Sequence, residues 1–215
     1  PTLPNSQTFP VSPGQYAVTE SDVAGWNLTG LSCDDAASGN PSDTDIGTRT
    51  ATINVEPGES VTCTFTNTKQ ASLTIVKNTV GGDGTFDFTA TTLPGGDFSL
   101  TTTGGSASKA YPNLAPGTYL VLEQVPTGWD LTSLVCTGDL DGGTSVSGNE
   151  ATIDLDPGEN ITCTFVNTKR GEILVDKVTD PSGDPQAFTF TGAVSGSITD
   201  TDAPLSSGLL APGTY

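Results

Sequence analysis

Ile161-Thr162-Cys163-Thr164-Phe165-Val166-Asn167-Thr168-Lys169 alternates along its whole length. Ile161, Cys163, Phe165 and Asn167 point one way, and Thr162, Thr164, Val166 and Thr168 point the other. A period of two is the mark of a strand with one face in a core. The motif stands also 100 residues earlier, as Cys63-Thr64-Phe65-Thr66-Asn67-Thr68-Lys69. Internal repetition therefore governs how the rest of the chain is read.

Working outward, Pro13-Gly14-Gln15-Tyr16 returns as Pro116-Gly117-Thr118-Tyr119 and again as Pro212-Gly213-Thr214-Tyr215. Trp26 matches Trp129 and Cys33 matches Cys136, both 103 residues on. A period of about 100 residues is the size of one domain. The frame that follows is a complete repeat at 70–169, the later part of a repeat at 1–69 and the start of another at 170–215. The chain is expected to be a window on a longer tandem array.

Other segments alternate in the same way. Leu73, Ile75 and Lys77 share a face, as do Tyr119, Val121 and Glu123, and Phe86 and Phe88. Gly81-Gly82-Asp83-Gly84, Pro94-Gly95-Gly96, Pro116-Gly117 and Pro157-Gly158 mark turns between them. About seven short strands per repeat, with no amphipathic helical stretch, predict an all-β fold of tandem antiparallel β-sandwich domains.

The 7 basic and 25 acidic side chains leave a net charge of −18. Such a surface repels nucleic acid and anionic lipid, so neither is expected as a partner. No apolar run approaches the roughly 20 residues of a membrane span. The chain has no histidine, which removes the commonest general base and the Ser-His and Cys-His nucleophile pairs. Paired carboxylates occur, but in repeated loops with no evident cleft, so no enzyme acting on an external substrate is expected. Four cysteines at wide spacing, none in a C-x-x-C, fit disulfides and an oxidising compartment. Cys33–Cys63 and Cys136–Cys163 are the expected pairs, each inside its own repeat. Asp34, Asp35, Asp43 and Asp45, then Asp139 and Asp141, cluster in the loops these pairs enclose. Oxygen-rich loops bind Ca²⁺, but the EF-hand spacing is missing, and a solvated acidic surface is the better reading. No metal site and no cofactor is expected.

One pattern departs from ordinary strand chemistry. Lys77, Glu123 and Asn167 each lie on the apolar face of their strand, where ionisable groups are rarely buried without a partner. Glu20 and Asn67 hold the matching places in the first repeat and Lys177 in the last. Read from the residues alone, this is either a buried Lys–Glu pair with an asparagine capping a strand end, or a reactive centre.

At these residues the sequence resembles the B-type repeats of Gram-positive collagen adhesins and pilins, which have a prealbumin-like (transthyretin-like) sandwich. The resemblance is carried by the lysine closing Leu73–Lys77, by Leu114-Ala115-Pro116-Gly117-Thr118-Tyr119-Leu120-Val121-Leu122-Glu123, by Pro126-Thr127-Gly128-Trp129 and by the final Asn167-Thr168-Lys169. It spans 70–169 and both flanking pieces, and the cysteine pair departs from the family's commonest pattern. It implies an internal isopeptide bond with Lys77 as nucleophile, Asn167 as electrophile and Glu123 as helper. Glu20 and Asn67, and Lys177, would be the equivalents. A buried lysine becomes a neutral amine and a buried glutamate stays protonated. Glu123 is then expected to polarise the Asn167 carbonyl and to shuttle protons. The implied function is structural: the stalk of a cell-surface adhesin, or an extracellular filament, whose partners are neighbouring copies or tandem domains. The alternative is a binding module whose loops recognise a host protein or glycan.

Overall fold

A computed structural model describes residues 5–35 and 39–215. Residues 1–4, where the first segment begins, and 36–38 of its acidic loop lie outside the described residues. The chain divides into two compact units, Pro1–Gln70 and Ala71–Tyr215. Every regular element among the described residues is a strand, so no helix there is long and apolar enough to cross a membrane.

In the first unit the strands are β1 (Gly14–Thr19), β2 (Trp26–Asp34), β3 (Asp43–Asp45), β4 (Thr50–Val55) and β5 (Thr62–Lys69). They form a sheet ordered β1-β4-β3 and a separate antiparallel pair β2-β5. The second unit opens with β6 (Ala71–Val80), β7 (Thr85–Thr89), β8 (Phe98–Thr101), β9 (Ser106–Leu114) and β10 (Gly117–Gln124). It continues with β11 (Trp129–Thr137), β12 (Ser145–Ser147), β13 (Glu150–Leu155) and β14 (Asn160–Lys169). These nine strands make two sheets, β12-β13-β10-β7-β8 and β11-β14-β6-β9. Then follow β15 (Gly171–Val175), β16 (Phe188–Phe190), β17 (Gly196–Ile198) and β18 (Leu205–Leu210), paired β15-β18 and β16-β17.

The two large sheets close over one apolar layer. Leu73 and Ile75 of β6, Phe86 and Phe88 of β7, Val121 of β10, Ile153 of β13 and Phe165 of β14 are all buried. Each such side chain contributes about 1.5–3 kcal/mol on burial. Phe88 and Phe165 meet edge to face across the layer at 5.2 Å, a favourable quadrupole arrangement. Trp129 closes one margin, edge-on to Phe86 at 5.2 Å. Its repeat counterpart Trp26 stands 40% exposed. Val18 and Tyr16, on the same unit's β1, are exposed too, so the described residues of this unit form no closed layer beneath it.

β6 and β14 pair in parallel, from Asn160↔Ser72 to Thr168↔Val80, while the other paired strands are antiparallel. Parallel neighbours need a long crossover, and here seven strands intervene in sequence. The first and last strands of the sandwich thus lie side by side.

Strand for strand, β1–β5 reproduce the pairings of β10–β14, and β15–β18 those of β6–β9. The likeness reaches irregularities. β11 breaks register between Leu131 and Ser133, and β2 between Leu28 and Gly30. At each bulge a threonine hydroxyl, Thr132 or Thr29, meets the hydroxyl of Thr168 or Thr68. The recurring Pro-Gly-x-Tyr also acquires a reason. The Tyr16, Tyr119 and Tyr215 hydroxyls donate to the carbonyls of Ser12, Ala115 and Ala211, each four residues back. At Tyr16 and Tyr119 the bond clamps the turn that starts β1 and β10.

Candidate functional site

Lys77, Glu123 and Asn167 come together at the centre of the sandwich, and each is fully buried. Lys77 lies on β6 opposite Phe165 of β14 in the parallel register. Its long side chain runs along the ladder to Asn167, two residues further on the same face. Glu123 reaches the same point from β10 in the facing sheet. The Lys77 Nζ is 2.6 Å from Asn167 Oδ1, 3.3 Å from the Phe165 carbonyl oxygen and 3.2 Å from Glu123 Oε1. Asn167 Nδ2 donates to Glu123 Oε1 at 2.8 Å. The Phe86 ring lies under the amine, 4.3 Å from its centroid.

Burial sets the protonation of the pair. Desolvation pushes the Lys77 amine down, against the charge of Glu123, and pushes the Glu123 carboxyl up, against the charge of Lys77. Both shifts favour the uncharged forms, because an ion out of water costs several kcal/mol. Glu123 Oε2 is buried with no hydrogen-bond partner. A neutral carboxyl tolerates that far better than a carboxylate. In their uncharged forms the amine has a lone pair, and the carboxyl has a proton to give.

The structure differs from the sequence reading in how Glu123 meets Asn167. It contacts the amide nitrogen, not the carbonyl oxygen. The oxygen faces Lys77 instead. Glu123 is therefore placed beside the Asn167 amide nitrogen.

Two contacts escaped the sequence reading. Asn149 brackets the glutamate: its Nδ2 donates to the Glu123 carbonyl at 2.6 Å, and its own carbonyl accepts the Glu123 N–H at 2.9 Å. Its partner is backbone, so no side-chain pattern marks it. The Phe86 platform was legible only as an apolar face.

The other predicted residues form part-sites. Asn67 Nδ2 donates to Glu20 Oε1 at 2.5 Å, as Asn167 does to Glu123, but the cation beside Glu20 is Arg49, 3.1 Å from Oε2. Lys177 is half-buried and pairs with no carboxylate among the described residues; its Nζ sits 4.2 Å from the Phe188 ring centroid. Cys33–Cys63 and Cys136–Cys163 are disulfide-bonded. Each pair stands directly opposite across one antiparallel ladder, β2–β5 or β11–β14.

Of the acidic loops, Asp139, Asp141 and Glu159 bring carboxylate oxygens within 4.8 Å of one another. Those oxygens are already engaged by backbone N–H groups. Asp139 accepts from Gly142, Thr144 and Asp141, and Glu159 from Leu140 and Asp156. The Gly142 and Thr144 amides hold the Asp139 carboxyl down at about 2. The carboxylates organise the loop by capping it.

A family model described as a prealbumin-like fold domain matches residues 2–69 and 73–169. No curated protein sequence matches the chain. Among solved structures, the chain is similar to the major pilin protein T-13 of Streptococcus pyogenes, with 16% identity and a TM-score of 0.38 over 76% of this chain and 69% of that one. It is also similar to the Bacillus anthracis TIE protein, with 18% identity and a TM-score of 0.34 over 93% of this chain and 44% of that one. The chain thus spans less than half the length of the latter.

Proposed function

The chain belongs to the family of prealbumin-like fold domains, and from that membership we propose that it is a load-bearing segment of an extracellular stalk or filament. Its residues 1–69, 70–169 and 170–215 are successive pieces of tandem domains, and its partners are neighbouring domains or copies of the same kind. The complete domain is locked by a bond between Lys77 and Asn167 and by the Cys136–Cys163 disulfide. Its place is outside the cell, at the cell surface.

One observation carries this reading. Three fully buried polar side chains meet inside a sandwich whose fully buried side chains are otherwise apolar. A buried Lys–Glu pair is a poor source of stability, because well-packed hydrophobic residues do as well or better. Chemistry gives the arrangement a purpose. The neutral Lys77 Nζ attacks Asn167 Cγ and forms the new C–N bond. Glu123 takes the proton that the amine sheds and delivers one to Nδ2, the C–Nδ2 bond breaks, and ammonia leaves. The product is a neutral amide that ties the first strand to the last. Tension across the domain then meets a covalent bond as well as hydrogen bonds worth about 1 kcal/mol each.

The test is the intact mass of the chain, oxidised and then reduced, with peptide mapping. The expected result is the loss of one ammonia from the complete domain, a linked Lys77–Asn167 peptide, and an unmodified mass in Glu123→Ala. A mass altered only by disulfides would overturn the bond.

A further inference from the structure

Glu123 stands one step beyond the last rung that joins β10 to β13, Leu122↔Glu150. The next rung is made by a turn residue. Ser147 and Glu150 close a two-residue loop, Gly148-Asn149, between β12 and β13. Gly148 has φ +60°, the backbone required of glycine in first place in such a hairpin. The loop brings both polar groups of Asn149 to Glu123. The Asn149 carbonyl accepts the Glu123 N–H at 2.9 Å, and Asn149 Nδ2 donates to the Glu123 carbonyl at 2.6 Å. An amide side chain thus does the work of a main-chain donor. On its other edge Glu123 pairs with Phe88 of β7. Its main chain is held on both sides, while its carboxyl is held through Oε1 alone, by Lys77 and Asn167. The aim of the carboxyl is therefore set from the main chain.

The first unit fills the same turn position differently. Its β1–β4 pair repeats β10–β13 rung for rung, ending at Thr19↔Thr50 as the other ends at Leu122↔Glu150. Arg49 stands where Asn149 does. Its carbonyl likewise accepts the Glu20 N–H, at 2.9 Å, but its side chain puts Nη1 3.1 Å from Glu20 Oε2. The matching atom, Glu123 Oε2, has no hydrogen-bond partner. Asp22 holds the other arm of the guanidinium at 2.5 Å, and Val125 has the place of Asp22 in the complete repeat. A guanidinium stays charged and favours an ionised carboxylate beside it. Asparagine leaves that second oxygen without a cation.

We propose that Asn149 is a positioning residue for the Lys77–Asn167 linking step: its amide fixes Glu123 beside the Asn167 nitrogen, and its lack of charge leaves Glu123 able to act as an acid. Glu123 delivers its proton to Nδ2 as the C–Nδ2 bond breaks and ammonia leaves, and recovers one from the amine that has joined Cγ. An arginine in this place would hold the carboxyl ionised, with no proton to deliver. Among the described residues, the charged group facing the Glu123 carboxyl is Lys77 of β6. β14 presents Phe165 and Asn167 and β7 presents Phe86 and Phe88, while Asp87 and Glu150 alternate onto the outer face of their sheet. This role rests on the proposed bond, and the two fail differently.

The experiment follows ammonia loss by mass while the unlinked 215-residue chain refolds across a pH series, unaltered and as N149A, N149Q and N149R. Asn149 is half-buried in a turn, and the first unit already carries an arginine at the matching position, so the fold admits all three; reformation of Cys136–Cys163 reports folding. N149A is expected to link more slowly at every pH, by on the order of tenfold. N149R is expected to move the alkaline limb of the rate profile down by about one pH unit or more, a change that lost packing alone would not make. N149Q, long but uncharged, is expected to leave that limb in place. Linking at the unaltered rate in N149A, or an alkaline limb that stays put in N149R or moves as far in N149Q, would overturn the role of Asn149 and leave the bond standing. An unaltered chain that never loses ammonia would overturn both.

Discussion

A lysine and a glutamate buried together keep their protons where charge is least. Burial holds the Lys77 amine below its usual range and the Glu123 carboxyl above its own. The two directions give the linking step a pH dependence of definite sign. As pH falls, the amine gains a proton and loses its lone pair. As pH rises, the carboxyl ionises and has no proton for the leaving nitrogen. Chain recovered unfolded and unlinked, then refolded across a pH series, should therefore lose ammonia along a bell-shaped rate profile when followed by time-resolved mass spectrometry. Both limbs belong to the coupled pair and not to one residue. A rate that climbs steadily with pH would mean that amine deprotonation alone controls the step and that Glu123 donates nothing.

Among the glycine turns, the one entering the acidic loop after β11 leaves the least room for a side chain. Gly138 has φ +96°, and a Cβ there would fall 2.1 Å from the Asn160 carbonyl oxygen at the start of β14. Gly138→Ala should cost about 1–3 kcal/mol, read as a lower denaturant midpoint, with the ammonia-loss mass unchanged because the reactive centre is elsewhere. Other local elements, such as the turn at Gly81-Gly82-Asp83-Gly84, were legible in the sequence, since a period of two and Gly-rich turns are local signals. So was the placing of Lys77, Glu123 and Asn167 on inward faces. The parallel pairing of β6 with β14 was not, because alternation is the same for either strand direction. Nor was the bracket made by Asn149, whose partner is a main-chain carbonyl 26 residues away. The side of the Asn167 amide that Glu123 meets depends on how two sheets stack, which no single strand records.

At the scale of the whole molecule, order is uneven. The buried apolar core of the first unit consists of Leu28, Leu31 and Ala51, while that of the complete sandwich runs through both sheets. Little buried area means a low free energy of local opening. Amides of β1 and β5 should exchange with deuterium faster than those of β10 and β14, as mass spectrometry of peptides would show; equal protection would contradict the open layer described above. The parallel neighbours also decide how the sandwich answers a pull. β6 receives the chain at Ala71 and β14 releases it at Lys169. Since the two run the same way, entry and exit lie at opposite ends of adjacent strands. Stretching the chain must then slide one strand along the other in shear, and all nine paired positions from Asn160↔Ser72 to Thr168↔Val80 resist at once. Antiparallel neighbours entered and left at one end would peel apart a rung at a time. The same hydrogen bonds, weak when taken singly, are thus strongest along the line of the chain itself.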